Sequence, residues 1–173
     1  MTLSMYQLSV PVFKQTLEAL SAIIDKAEAH CTARKIDPAA LTTARLFPDM
    51  FAFARQIQIA TDFAKGCIAR LAGADMPSFA DTETTFPELK ARLAKTVEFV
   101  ASLAPADFDG SDTRVIELKI AGNPVKFNGQ TYLSLFALPN FYFHAATAYA
   151  ILRTNGVEVA KRDFLGAVPG FTA

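Results

Sequence analysis

The run Leu138-Pro139-Asn140-Phe141-Tyr142-Phe143-His144-Ala145-Ala146-Thr147-Ala148-Tyr149-Ala150-Ile151-Leu152 is apolar on almost every side when wound as a helix. A helix that is hydrophobic all round must be surrounded by protein, so the rest of the chain has to supply elements that cover it. Its two exceptions are Asn140 and His144, four residues apart and therefore on one face. They would carry an amide and an imidazole into a packed core.

Other segments have the pattern needed to cover such a helix. Phe13, Leu17, Leu20, Ile24 and Ala27 recur every three or four residues and predict a first helix from about Ser4 to Arg34, kinked at Pro11. Asp37-Pro38 reads as an N-cap with proline at the first helical position, and Pro48 bends or restarts the chain ahead of a second helix. That helix carries Phe53, Ile57, Ala60, Ala64, Cys67 and Leu71 on one face and ends near Gly73. The connection from Gly73 to Thr82 is long enough to run the length of a helical bundle.

Thr85 with Glu88 has capping-box spacing, and the third helix behind it shows the stripe Leu89, Leu93, Val97, Val100 and Leu103 before stopping around Ala104-Pro105. From Thr113 to Phe127 the period shortens to two, with Val115, Ile116, Leu118 and Ile120 ahead of Gly122-Asn123-Pro124 and Val125 and Phe127 behind it. This predicts a short β-hairpin. The fourth helix is expected from about Thr131 to Thr154, interrupted near Pro139 and closed by Asn155-Gly156. Strands do not alternate with helices, so the fold class is all-α: one domain over residues 1–173, a four-helix bundle with a hairpin between the third and fourth helices.

Seventeen basic residues balance seventeen acidic ones, and this neutrality argues against nucleic acid or an anionic membrane as partner. The N-terminus has neither a basic n-region nor an apolar h-region, and no window holds about 18 uninterrupted apolar residues, so a cytoplasmic protein is expected. Cys31 and Cys67 are isolated within helical patterns and read as reduced core thiols. Fifteen phenylalanines and no tryptophan point to a core dominated by phenyl rings.

A metal site in a bundle is built from facing helices, usually with one pair at i, i+4. Asn140 and His144 supply that spacing, and Gln58 and Asp62 repeat it on the second helix, on the side of Thr61 and Lys65. His144 and Asp62 are the residues able to ligate a divalent ion such as zinc or nickel; amide oxygens from Gln58 and Asn140 are weak ligands. The same four more readily describe a hydrogen-bonded network inside the core, with Gln58 or Asp62 as the partner of His144 and Asn140. His30 and Cys31 are adjacent, so their side chains diverge by about 100° on a helix. No nucleophile elbow or glycine-rich phosphate loop is present, and Asp107, Asp109 and Asp112 around Gly110 lack the distal glutamate of a calcium loop.

With these elements in order, the chain resembles the DinB/YfiT-like superfamily, and within it a bacterial family of unknown function, DUF1993. The resemblance is carried by Ser4-Met5-Tyr6, Leu46-Phe47-Pro48-Asp49-Met50, Gln56-Ile57-Gln58-Ile59-Ala60, Asp81-Thr82-Glu83, Pro139-Asn140-Phe141-Tyr142-Phe143-His144 and Leu152-Arg153-Thr154-Asn155-Gly156. It implies an up-down-down-up bundle. Many DinB-like proteins hold a divalent metal with three histidines, one on the second helix and two as His-x-x-x-His on the fourth. By that pattern His144, nine residues before Arg153, is the retained ligand, Asn140 replaces the second, and a residue at or near Gln58 replaces the third. The expected function is a binding module for a small molecule or a protein, a homodimer being a further expectation, with a degenerate metal site at Gln58, Asp62, Asn140 and His144 and no cofactor. The alternative is a divergent metal-dependent enzyme, hydrolase or thiol transferase, using His144 and Asp62.

Overall fold

Ser4 Oγ accepts from the Gln7 amide at 3.2 Å while Gln7 Oε1 accepts from the Ser4 amide at 3.0 Å, and this reciprocal cap starts α1 (Met5–Arg34). The structure, a computed structural model, describes residues 3–170. Helix α1 runs unbroken through Pro11. Pro11 and Gln7 both lie on its exposed side, so the Gln7 carbonyl that proline leaves without a donor can be satisfied by water. Lys35 ends the helix in the left-handed region at φ 54°.

Asp37 accepts from the Ala39 amide at 2.9 Å and heads the one-turn α2 (Ala39–Thr42). Helix α3 (Phe53–Ala72) ends on Gly73 at φ 69°, and α4 (Phe86–Ala101) opens on the Thr85–Glu88 capping box. Strands β1 (Val115–Ile120) and β2 (Asn123–Asn128) form a two-stranded antiparallel sheet, with Val115 opposite Asn128 and Ile120 opposite Asn123. The turn is Ala121-Gly122, with φ of 49° and 84°, and not Gly122-Asn123-Pro124 as the sequence suggested. Two positive φ values give the twist a two-residue hairpin needs, and Pro124 then falls within β2, opposite Lys119.

After β2, Asn128 caps α5 (Gly129–Thr131), and a π-helical turn, Tyr132–Ala137, leads straight into α6 (Leu138–Thr154). The expected interruption near Pro139 is thus a widened turn ahead of the proline, in a helix that otherwise continues. Pro139 has no N–H for the carbonyl four residues back, and a wider preceding turn relieves the crowding its ring would cause. A short α7 (Lys161–Leu165), unanticipated from the pattern, packs on α1 through Gln15 Nε2 to the Leu165 carbonyl at 2.8 Å and Lys26 to Asp163 at 2.7 Å.

The domain is mostly helical, with α3 packed most extensively on α6 and α1 on α4. Phe141, Ala145, Ala148, Ile151 and Leu152 of α6 are fully buried, and Phe13 meets Phe141 edge to face at 4.8 Å. The continuous run Gly129–Thr154 is apolar and long enough to cross a membrane by length and composition alone. Here Phe141, Ala145, Ala148, Ile151 and Leu152 face the core while Leu135, Tyr142 and Phe143 are exposed, so the run is covered on one side and not all round as its pattern suggested. Cys31 and Cys67 are separate buried thiols; burial raises the pKa of both, that of Cys67 well above the ordinary cysteine range.

Gly129 marks where two loops touch: a Cβ there would sit 1.8 Å from the Ser111 carbonyl oxygen, beside the Gln130 amide bond to the Asp112 carbonyl at 2.9 Å. Gly129→Ala must therefore push backbone apart. A loss of about 2 kcal/mol in urea unfolding is expected; an unchanged midpoint would mean that these loops separate freely.

Candidate functional site

His144 is buried on the face of α6 turned toward α3, with its Nδ1 2.7 Å from Gln56 Oε1. Gln56 is itself 1% exposed, and its Nε2 donates to the Phe51 carbonyl at 3.1 Å. That second bond decides the chemistry of the first. With the amide nitrogen committed to a carbonyl, Oε1 is what faces the imidazole, so His144 Nδ1 carries the proton and donates. In the neutral ring Nε2 is then the acceptor. Phe63 of α3 stacks on the imidazole at 6.0 Å and 17°, and Phe143 meets it edge-on at 5.2 Å. Burial, reinforced by the nearby Arg55 guanidinium, holds the His144 pKa below its ordinary value.

Asn140 shares that face of α6, but its Nδ2 donates to the carbonyl of Phe136 at 2.7 Å, within the same helical run. Gln58 and Asp62 serve a different neighbour. Gln58, Thr61, Asp62 and Lys65 fall at i, i+3, i+4 and i+7, a polar stripe along α3, and opposite it α4 places Arg92, which is 2% exposed. The guanidinium donates from Nε to Thr61 Oγ1 at 2.6 Å and from Nη2 to Asp62 Oδ1 at 2.7 Å. It also donates from Nη1 to the Ala80 carbonyl at 3.1 Å and to Glu83 Oε2 at 3.1 Å, with Asp81 Oδ1 3.0 Å from Nη2.

Lys65 pairs with Asp62 at 3.0 Å and lies over the Phe79 ring at 5.0 Å. Gln58 donates to Glu83 Oε2 at 3.1 Å and accepts from Arg55 at 3.2 Å, and Arg55 pairs with Asp81. Three cations, Arg55, Lys65 and Arg92, thus balance three carboxylates, Asp62, Asp81 and Glu83. They tie the connection between α3 and α4 down onto both helices.

A family model described as "Domain of unknown function (DUF1993)" matches residues 5–165. The chain belongs to the DUF1993 family of DinB-like proteins. It is similar to a DinB family member protein from Shewanella denitrificans, known from a crystal structure at 1.83 Å resolution, with 42% identity and a TM-score of 0.91 over 97% of this chain and 94% of that one. No curated protein matches the sequence.

In this DUF1993 domain the α3 residue that meets His144 is Gln56, two positions before Gln58, at or near which the resemblance placed the third ligand. Neither Gln58 nor Asp62 is the hydrogen-bond partner of His144. Gln56 lies three residues after Phe53 and four before Ala60, on the buried stripe itself, so a glutamine interrupting that stripe was the available signal. Arg92 was also missed. It lies three residues after Leu89 and beside Leu93, and the polar stripe on α3 was the hint that a cation would answer it.

The donors do not suit a divalent metal. His144 supplies one imidazole nitrogen, Gln56 Oε1 already accepts from that ring, and the Asp62 carboxylate is held by two cations whose charge would repel a third. Among the described residues no group of three or more His, Cys, Asp or Glu is arranged to hold a metal ion.

Beside this pair, Phe63 forms part of the wall of a cleft of about 220 Å³ between α3, β1 and the π-helical turn. The ring that stacks on His144 therefore also faces open space.

Proposed function

We propose that the domain is a non-catalytic small-molecule binding module, in which α1, α3, α4 and α6 form an up-down-down-up four-helix bundle and the position of a metal in DinB-like relatives is taken by a hydrogen-bonded histidine–glutamine pair. The observation that carries this reading is the 2.7 Å contact between His144 Nδ1 and Gln56 Oε1, oriented by the Gln56 bond to the Phe51 carbonyl. The pair satisfies itself without a metal and backs an aromatic wall that opens on a cleft. A divergent metalloenzyme would need Asp62 released from Arg92 and Lys65, at the cost of leaving a buried guanidinium short of a partner.

Zinc and nickel titrations test it. Metal binding only the folded state at a hundredfold above Kd would add about 2.7 kcal/mol of stability; no rise in melting temperature is expected for the purified full chain, and elemental analysis should find no stoichiometric transition metal. One tightly bound metal per chain, lost in His144→Ala, would reverse the conclusion in favour of the metalloenzyme.

A further inference from the structure

We propose that the cleft between α3, β1 and the π-helical turn binds a small aromatic carboxylate, its ring against the wall that Phe63 and Phe136 form together and its anionic group on Arg70 and Tyr132. The inference rests on reading the domain as a small-molecule binding module and adds to it the place and the chemical class of the ligand.

Two side chains converge at the cleft with donor groups left over. Arg70 makes one side-chain hydrogen bond among the described residues, from Nη1 to the Tyr132 phenol oxygen at 3.1 Å, and has no carboxylate partner there. Tyr132 is 1% exposed and accepts from Arg70, but its own hydroxyl proton has no acceptor among the described residues. Buried donors normally find partners, and a fork of guanidinium N–H groups beside a phenol O–H is matched by the two oxygens of a carboxylate. Asp62, the acid that lines the cleft, does not answer them, because Arg92 and Lys65 hold its Oδ1 at 2.7 and 3.0 Å.

Gly66, in the middle of α3, leaves the space into which the Arg70 guanidinium folds: a Cβ there would lie 2.6 Å from Nη1. Glycine inside a helix is unfavourable relative to alanine, and here the missing side chain makes room for the cation. The π-helical turn carries Tyr132 and Phe136 on successive turns, with their rings stacked at 6.0 Å and 27°, and Phe136 meets Phe63 at 5.9 Å and 63°. Such widened turns occur often at functional sites. The walls are thus aromatic, the end is cationic, and a volume of about 220 Å³ falls below that of drug-sized ligand pockets, which suits one ring with one anionic group.

Benzoate titrated into the full chain, followed by calorimetry and ligand-observed NMR, tests the assignment. Saturable one-to-one binding is expected at or below about 1 mM. Arg70→Gln should weaken it about tenfold, and Tyr132→Phe, which keeps the ring and so the packing, should weaken it by about threefold or more. Benzyl alcohol and inorganic phosphate, each lacking one half of the recognition, should both bind at least about tenfold more weakly. The proposal is overturned if benzoate does not saturate by about 10 mM, if either variant binds it as tightly as the parent, or if either control probe matches it. Failure of benzoate in a protein that still takes up no zinc or nickel would sink this ligand assignment alone; tight metal binding would sink the binding-module reading beneath it.

Discussion

Arg92→Ala is expected to lower the stability of the domain by about 4 kcal/mol, the largest loss from any single polar substitution in it. The guanidinium is almost wholly buried and serves Thr61, Asp62, the Ala80 carbonyl, Asp81 and Glu83 at once. Alanine leaves a cavity and several acceptors without donors. Asp62 and Asp81 are about one-third exposed and can take up water, whereas Glu83, at 15%, is less able to. That keeps the loss within the range for breaking a buried pair rather than beyond it.

Arg92→Lys should recover about half, since a single ammonium cannot reach acceptors spread around a planar fork. Urea unfolding gives the magnitude, and amide exchange gives the location: residues 73–85 should lose protection before the helices do. A loss under about 1 kcal/mol would show the network to be incidental. Acid should loosen the same connection. Burial alone would raise the Asp81 pKa, but Arg55 and Arg92 outweigh it and hold it below the usual carboxylate range. Its contribution is therefore complete above its ordinary value of 3.8 and disappears as pH falls through the lower folded value.

His144→Ala is expected to cost about 3 kcal/mol and to lower the melting temperature by about 10 °C. Gln56 Oε1 loses its donor while its nitrogen stays fixed on Phe51, and Phe63 loses the ring stacked on it. His144→Gln should restore part of the loss, because an amide N–H can donate where Nδ1 did, although the stacked ring is still missing.

The pH dependence separates this role from simple space-filling. Burial lowers the folded pKa of His144 below 6.5, so its stabilising contribution is fully present above pH 6.5 and is lost as pH falls through the folded value. The gap between parent and His144→Ala should be constant above pH 6.5 and narrow on acidification. A gap that widens in acid would mean that the imidazolium, and not the neutral ring, is the form the fold favours.

Much of the architecture could be read from local rules. The capping box at Thr85, the end of α3 at Gly73 and the period-two stretch ahead of Asn128 depend on neighbours within a few residues, so sequence spacing alone reveals them. The corrections came where a local rule had two solutions. The hairpin turn at Ala121-Gly122 lies one residue earlier than the proline and asparagine suggested, since strand register is settled by pairing across the sheet. Pro139 widens the turn before it instead of breaking the helix, because the surrounding core holds the run in place.

From the sequence alone it follows that α6 has an apolar side in need of cover and that an imidazole and an amide share one of its faces, both consequences of helical periodicity; that Tyr142 and Phe143 stay exposed does not follow from it. Only the tertiary structure decided which residues answer the imidazole and the amide. His144 meets Gln56 across 88 positions of chain, Arg92 gathers acceptors from α3 and from the connection above it, and Asn140 turns back to its own helical run. Each of these choices depends on the rotation of one helix about its axis relative to another. Glutamines at 56 and 58 are chemically alike and differ by about 200° around α3, so only packing selects the one that faces the histidine.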